Sequence, residues 1–203
     1  MTAARLVVWS DYLCPWCRLA ASRVARLEDE FGDRLVVQWK SFLLRPRPDP
    51  TVTLDRFRAY TRSWRKPAAE PDAPRFVEWA SDTGPPSHSV PPHVLAKTAV
   101  ALGDEAFRVV HQRLLDAYFE HSRDITDPAV LAAVWVEAGL PRAALALADD
   151  PAVVRAVDAD HAEAVARGIT GVPTAMLASA NDVPVPGALP YESLRRWIAR
   201  ALA

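Results

Sequence analysis

The chain has only two cysteines in 203 residues, and both fall in one short stretch, at positions 14 and 17. Without a third, a framework of structural disulfides within one chain is excluded, so the value of the pair must lie in its reactivity. No apolar run approaches the roughly 18 residues that a membrane span needs. Ahead of the first hydrophobic stretch, Met1-Thr-Ala-Ala-Arg5 offers neither an apolar signal segment nor a small-residue cleavage site, and a cytoplasmic location is the expectation. An excess of one charge is missing too: the formal net charge of -1 leaves no bulk electrostatic reason to expect nucleic acid or an anionic membrane as partner. Internal repeats and low-complexity tracts are also lacking. What remains, 50% hydrophobic and 24% charged, is an ordinary globular composition that can bury one sizeable core.

The informative stretch is residues 5–31. Leu6-Val-Val-Trp9 reads as a buried strand, and it runs through Ser10 and Asp11 into Cys14-Pro15-Trp16-Cys17. Leu19, Ala20, Val24, Leu27 and Phe31 then follow at helical spacing, with Gly32 as the C-terminal stop. Cys14 at a helix N-terminus would face unpaired backbone N–H groups and the positive end of the helix dipole, which favours thiolate over thiol. Pro15 suits the first helical position, having no N–H to leave unpaired and a φ already set for helix. Cys17, one turn further in, could attack a mixed disulfide formed at Cys14. The catalytic pair is thus Cys14 as nucleophile and Cys17 as resolving thiol. Spacing also allows half a zinc site, completed by His88 and His93. The halves lie about seventy residues apart instead of the dozen or so of a compact finger, and bulky Pro-Trp suits a helix start better than a zinc turn, so no metal is expected.

Leu35–Leu44 predicts a second strand, and two strands joined by a helix form a βαβ unit with parallel pairing. Arg45–Pro50 breaks the pattern as a linker. From Thr53 the chain becomes Ala-rich with helical periodicity. Thr53 can cap a helix carrying Leu54, Phe57 and Tyr60, residues 66–74 read as a loop, and Arg75–Asp82 reads as a short helix stopped by Gly84. Gly84–Pro92 is a loop, and helices are expected at 93–102, 104–121, 127–138, 141–148 and 151–167. Asp127-Pro128 and Asp150-Pro151 serve there as cap-plus-proline starts. Ile169–Leu177 predicts a turn and strand, Val183–Val185 its hairpin partner, and Tyr191–Leu202 a last amphipathic helix. The fold class is therefore α/β, in the order βαβ, helical insertion, ββα. The expected division is 1–52 with 169–203 as one domain and 53–168 as an all-helical insertion.

This order, with Cys-x-x-Cys after the first strand and Val-Pro before the third, resembles the thioredoxin fold of the DsbA family with its helical insertion. The likeness extends over nearly the whole chain. It is greatest to the FrnE-type branch and its 2-hydroxychromene-2-carboxylate isomerase relatives, through Ser10-Asp11-x-x-Cys14-Pro15-Trp16-Cys17, Ala117-Tyr118-Phe119-Glu120 with Asp124-Ile125, and Gly168-Ile169-x-Gly171-Val172-Pro173. The resemblance implies that Pro173 is cis and faces the dithiol. The backbone of Val172 would then be free to receive a substrate segment as a short strand, its sulfur directed at Cys14.

Two departures bear on the branch. The isomerases carry Ser at the nucleophile position and use bound glutathione, whereas Cys14 and Cys17 are both present here. Their Asn-Thr-x-x-Ala-His stretch is matched by Pro92-His93-Val94-Leu95-Ala96-Lys97. Around the dithiol, Asp11 could relay a proton to Cys17 or cap the turn, the cap being favoured. Trp16 would line the substrate groove or pack structurally. Lys40, on the second strand, is expected to be solvated. The five histidines show no i, i+4 pair and read as structural, with His88 and His93 in the loop.

The implied activity is that of a thiol–disulfide oxidoreductase, with a reducing cytosol favouring reductase or isomerase use over net oxidation. The alternatives are a thiol-dependent transferase or isomerase of small aromatic compounds, similar to 2-hydroxychromene-2-carboxylate isomerase or kappa glutathione transferase, and a binding module with a redox-sensing dithiol. The expected partner is a thiol or disulfide substrate, protein or small molecule, with neither nucleic acid nor membrane. A homodimer is compatible with the sequence. No cofactor is called for beyond the redox-active disulfide, though a low-molecular-weight thiol could act as co-substrate.

Overall fold

A computed structural model describes residues 3–178 and 182–203; Met1 and Thr2, the start of the segment expected to lead straight into the first strand, lie outside them. Strand β1 (Ala4–Ser10) enters helix α1 (Pro15–Phe31), which stops at Gly32. Gly32 has φ 51° and its N–H donates to Glu28 O, a left-handed ending that a side chain would strain. Strand β2 (Leu35–Ser41) lies parallel to β1, and after the helical segment β3 (Thr174–Leu177) and β4 (Val185–Pro186) complete the sheet in the order β2-β1-β3-β4. Both β1·β3 and β3·β4 are antiparallel.

Period-two alternation along β1 sends its side chains to two cores. Leu6 and Val8 pack with Val24 and Leu27 of α1 and with Leu194 and Ile198 of α8 (Tyr191–Ala201). Val7 and Trp9 point the other way, to Met176, Ile169 and Ala164, the last on α7 (Pro151–Ala166). The helical segment comprises α2 (Leu54–Thr61), α3 (Arg65–Ala68), α4 (Val90–Val100), α5 (Asp104–Phe119), α6 (Pro128–Glu137), a 3₁₀ stretch Arg142–Asp149, and α7. It has its own aromatic core of Phe57, Trp64, Trp79, Tyr118, Phe119 and Trp135, which also receives Tyr12, Leu13 and Ala21 from the β1–α1 region. Thr53, Asp127 and Asp150 cap α2, α6 and α7 with their side chains, as their positions predict.

Four expectations change. Arg75–Asp82 is not a helix, because its backbone N–H groups are taken by other elements. Val77 donates to Phe119 O at 2.8 Å, Trp79 to Thr61 Oγ1 and Ala80 to Ser122 Oγ, which seats the Trp79 ring in the aromatic core. The second strand ends at Ser41, three residues early, since Leu43 and Leu44 donate to His161 and Asp11 and the chain leaves the sheet there. Helix α4 starts at Val90, so that Pro91 and Pro92 occupy its first turn and His93 is helical, outside the loop expected for it. The stretch expected as a helix at 141–148 is 3₁₀, and α3 forms inside the expected 66–74 loop. At the far end, the strand before α8 pairs through Val185 and Pro186, while Val183 stays outside it.

Candidate active site

Between β1 and α1 the chain makes a tight turn, closed by Cys14 N–H donating to Asp11 O at 3.1 Å. The Asp11 carboxylate holds that turn in place: Oδ1 accepts from Leu13 N and Oδ2 from Leu44 N, each at 2.7 Å. It is fully buried, and burial pushes its pKa above the ordinary carboxylate value, with the Ser89 hydroxyl and these two N–H donors pulling the other way. Of the two roles open to Asp11, the geometry fits the cap. Its side chain bonds Leu13 and Leu44, and only its backbone N–H reaches Cys17 Sγ, at 3.5 Å.

Cys14 is the N-cap of α1, in extended conformation, with Pro15 next at the first helical position. Its sulfur accepts from Cys17 N at 3.3 Å, so one of the orphan donors of the helix start points at it. Cys17 is wholly inaccessible. Burial, with Cys14 beside it, pushes its thiol well up, although the Asp11 N–H and the Ser10 hydroxyl act in the opposite sense. Across from the pair, Cys14 Sγ–H donates to Val172 O at 3.4 Å, and the Val172–Pro173 bond is cis. The Val172 N–H has no acceptor among the described residues, which leaves it open toward the sulfur-bearing face.

Trp16 is 38% exposed, so the ring between the cysteines faces outward over the site. Tyr60, which no sequence pattern singled out, lies near enough to Cys14 and Asp11 to interact electrostatically with both. Lys40 is not solvated as expected: it is paired with Glu163 of α7 and lies against the Trp9 ring. Below the turn, Tyr12 hydrogen-bonds His111 Nδ1 at 2.8 Å and packs edge-on against both His93 and His111. Both histidines are buried, and burial lowers each to a pKa of about 3. The spacing of 93 and 111 with residue 12 carries no signal that would bring them together. Among the described residues no group of three or more His, Cys, Asp or Glu converges as a metal would need, so the zinc reading of Cys14, Cys17, His88 and His93 finds no site.

A redox dithiol at a helix mouth facing a cis Val-Pro within this sheet order is a specific combination, and comparison of the sequence with family models agrees. The model described as a DSBA-like thioredoxin domain matches residues 5–199. The chain belongs to this family. No curated protein matches the sequence significantly. Among solved structures, this DsbA-like chain is similar to a candidate protein disulfide isomerase from Nitrosomonas europaea, with TM-score 0.83 and 18% identity over 98% of both chains. The cytosolic disulfide reductase DsbM from Pseudomonas aeruginosa, also solved with GSH, superposes with TM-score 0.79 and 20% identity over 98% of both chains. A 2-hydroxychromene-2-carboxylate isomerase gives TM-score 0.66 and 16% identity, covering 98% of this chain and 96% of the other. Identities this low establish a shared fold, the DsbA-like thioredoxin fold with its helical segment.

Proposed function

We propose that this DsbA-like chain is a cytoplasmic thiol–disulfide oxidoreductase that works from its dithiol form on protein or small-molecule disulfides, with Cys14 as nucleophile and Cys17 as resolving thiol. The observation that carries the reading is the contrast between the two sulfurs. Cys14 caps the helix beside an open backbone edge at Val172, whereas Cys17 is sealed beneath it as a thiol.

The Cys14 thiolate attacks one sulfur of a substrate disulfide. As the Cys14–substrate S–S bond forms, the substrate's own S–S bond breaks and the departing sulfur leaves as a thiolate that takes up a proton. The segment carrying the bound sulfur lies along Val172, whose free N–H receives a backbone carbonyl. Cys17 then gives up its proton and attacks Cys14 Sγ. The substrate leaves as its second thiol, and the Cys14–Cys17 disulfide remains. A small thiol such as glutathione, or a protein dithiol, returns the pair to the reduced state by the same steps reversed. The dithiol is the whole redox apparatus, and no cofactor takes part.

Dithiothreitol-driven insulin reduction tests this directly. Activity is expected in the wild type and absent in Cys14→Ser, while Cys17→Ser accumulates disulfide-linked substrate. Persistence of full activity in Cys14→Ser would sink the reading. A thiol-dependent transferase or isomerase remains the second reading, supported by the fold shared with the isomerase and by the DsbM structure with GSH. The presence of both cysteines favours redox exchange over it. Turnover that survives Cys17→Ser and needs only added thiol marks the second reading.

A further inference from the structure

Resolution by Cys17 requires its proton to leave, yet this sulfur is fully buried and Asp11, the nearest carboxylate, is turned away onto Leu13 and Leu44. Val8, on the face of β1 that carries Ser10, supplies no acid either. What the fold does place there is Ser10 itself. It is buried at the end of β1, directly before the residue whose N–H touches Cys17 Sγ, and its hydroxyl bonds to that sulfur.

Ser10 also lines an internal cavity of about 20 Å³, large enough for one water. The walls facing it come from four elements: Lys40 on β2, Tyr12 in the turn, His93 and Lys97 on α4, and His111 on α5. The Nε2 atoms of His93 and His111 are buried with no partner among the described residues, an arrangement that costs about 1–3 kcal/mol per group until a polar ligand supplies the bond. Lys97 is held by Asp160 at 2.5 Å. Lys40 is paired with Glu163, which is 33% exposed and so reaches solvent.

We infer that the Ser10 hydroxyl carries the Cys17 proton to and from the buried dithiol, through one cavity water and the Lys40–Glu163 pair. The inference rests on the thiol-exchange reading above. In resolution Cys17 Sγ–H passes its proton to Ser10 Oγ as the hydroxyl proton moves to the water. The water gives one to Lys40, and Lys40 gives one to the Glu163 carboxylate. The sulfur so freed bonds Cys14 Sγ while the Cys14–substrate bond breaks, and the substrate departs as thiolate. His93 and His111, neutral at working pH, orient the water without competing for its proton.

Reaction of the reduced protein with an aromatic disulfide reagent that releases a coloured thiol separates the steps. A first release reports attack by Cys14, and a second reports resolution by Cys17. In Ser10→Ala the second release is expected to slow by about 10- to 100-fold and its pH profile to move upward, relative to the first release in the same sample. Ser10→Thr, which keeps the hydroxyl, restores both. In the wild type the second release slows about two- to threefold in heavy water, as a step with protons in flight requires. An unchanged second phase and profile in Ser10→Ala, or no isotope effect in the wild type, overturns the relay. A wild type that shows neither release fails the thiol-exchange reading instead, so the two outcomes are distinct.

Discussion

At residue scale the site separates two sulfurs one helical turn apart by what surrounds them. Cys17 has no access and a raised pKa, whereas Cys14 sits at the helix mouth beside Trp16 and Val172. Iodoacetamide at neutral pH is therefore expected to modify Cys14 at least about tenfold faster than Cys17, read by peptide mass spectrometry. Comparable rates would contradict the arrangement. Asp11 gives a second expectation. Its alanine variant strands the Leu13 and Leu44 N–H groups in the interior, at about 1–3 kcal/mol each, which urea denaturation would register. The two histidines set a pH dependence. Each has a folded value of about 3 against 6.5, so the native state binds fewer protons than the unfolded chain between those values. Their contribution to stability is complete above about 6.5 and falls with acidification, each by up to about 1.4 kcal/mol per pH unit within that window. His93→Leu should flatten the dependence of the unfolding free energy on pH between neutrality and pH 4; an unchanged slope would count against a buried neutral His93.

The elements around the dithiol are tied together by two buried arginines on one helix. Arg18 of α1, 2% exposed, bonds Asp116 at 2.9 Å and Glu120 on or beside α5, and donates to Arg75 O. Arg23, one and a half turns on, holds Glu70 and Asp72 and also the carbonyls of Ala188 and Leu189 ahead of α8. Replacing Arg18 by alanine removes one partner of a buried pair and is expected to cost about 3–5 kcal/mol by chemical denaturation. Lysine restores only a fraction, having neither the planar fork nor enough donors for three acceptors. Full stability in Arg18→Lys would show that the fork is dispensable. None of this was legible beforehand: in sequence the Arg23–Glu30 run looks like a solvated face, and only the position of the insertion over α1 turns Arg18 and Arg23 inward.

For the molecule as a whole, the two cores are not independent. Trp39 packs against both, and Tyr12, Leu13 and Ala21 carry the active-site turn into the aromatic core of the helical segment. The 1–52 plus 169–203 unit and the 53–168 insertion are thus expected to unfold together, tryptophan fluorescence and far-ultraviolet circular dichroism reporting one midpoint in guanidinium. Two separated transitions would show that the insertion folds alone.

Local chemistry written along the chain was enough to determine the strand–turn–helix with its Cys-Pro-Trp-Cys mouth, the helix caps at Thr53, Asp127 and Asp150, and the βαβ opening. Each depends on neighbours within a few residues, through caps, proline geometry and hydrophobic period. Tertiary structure alone decided that Arg75–Asp82 is extended, because its hydrogen-bond partners lie on α5 and α2 and in Ser122. It likewise decided that Lys40 meets Glu163, and that Ser10, Tyr12, His93 and His111 enclose one small cavity. Those residues come from β1, β2, α4, α5 and α7, and no spacing along a chain encodes a contact made only when separate elements pack.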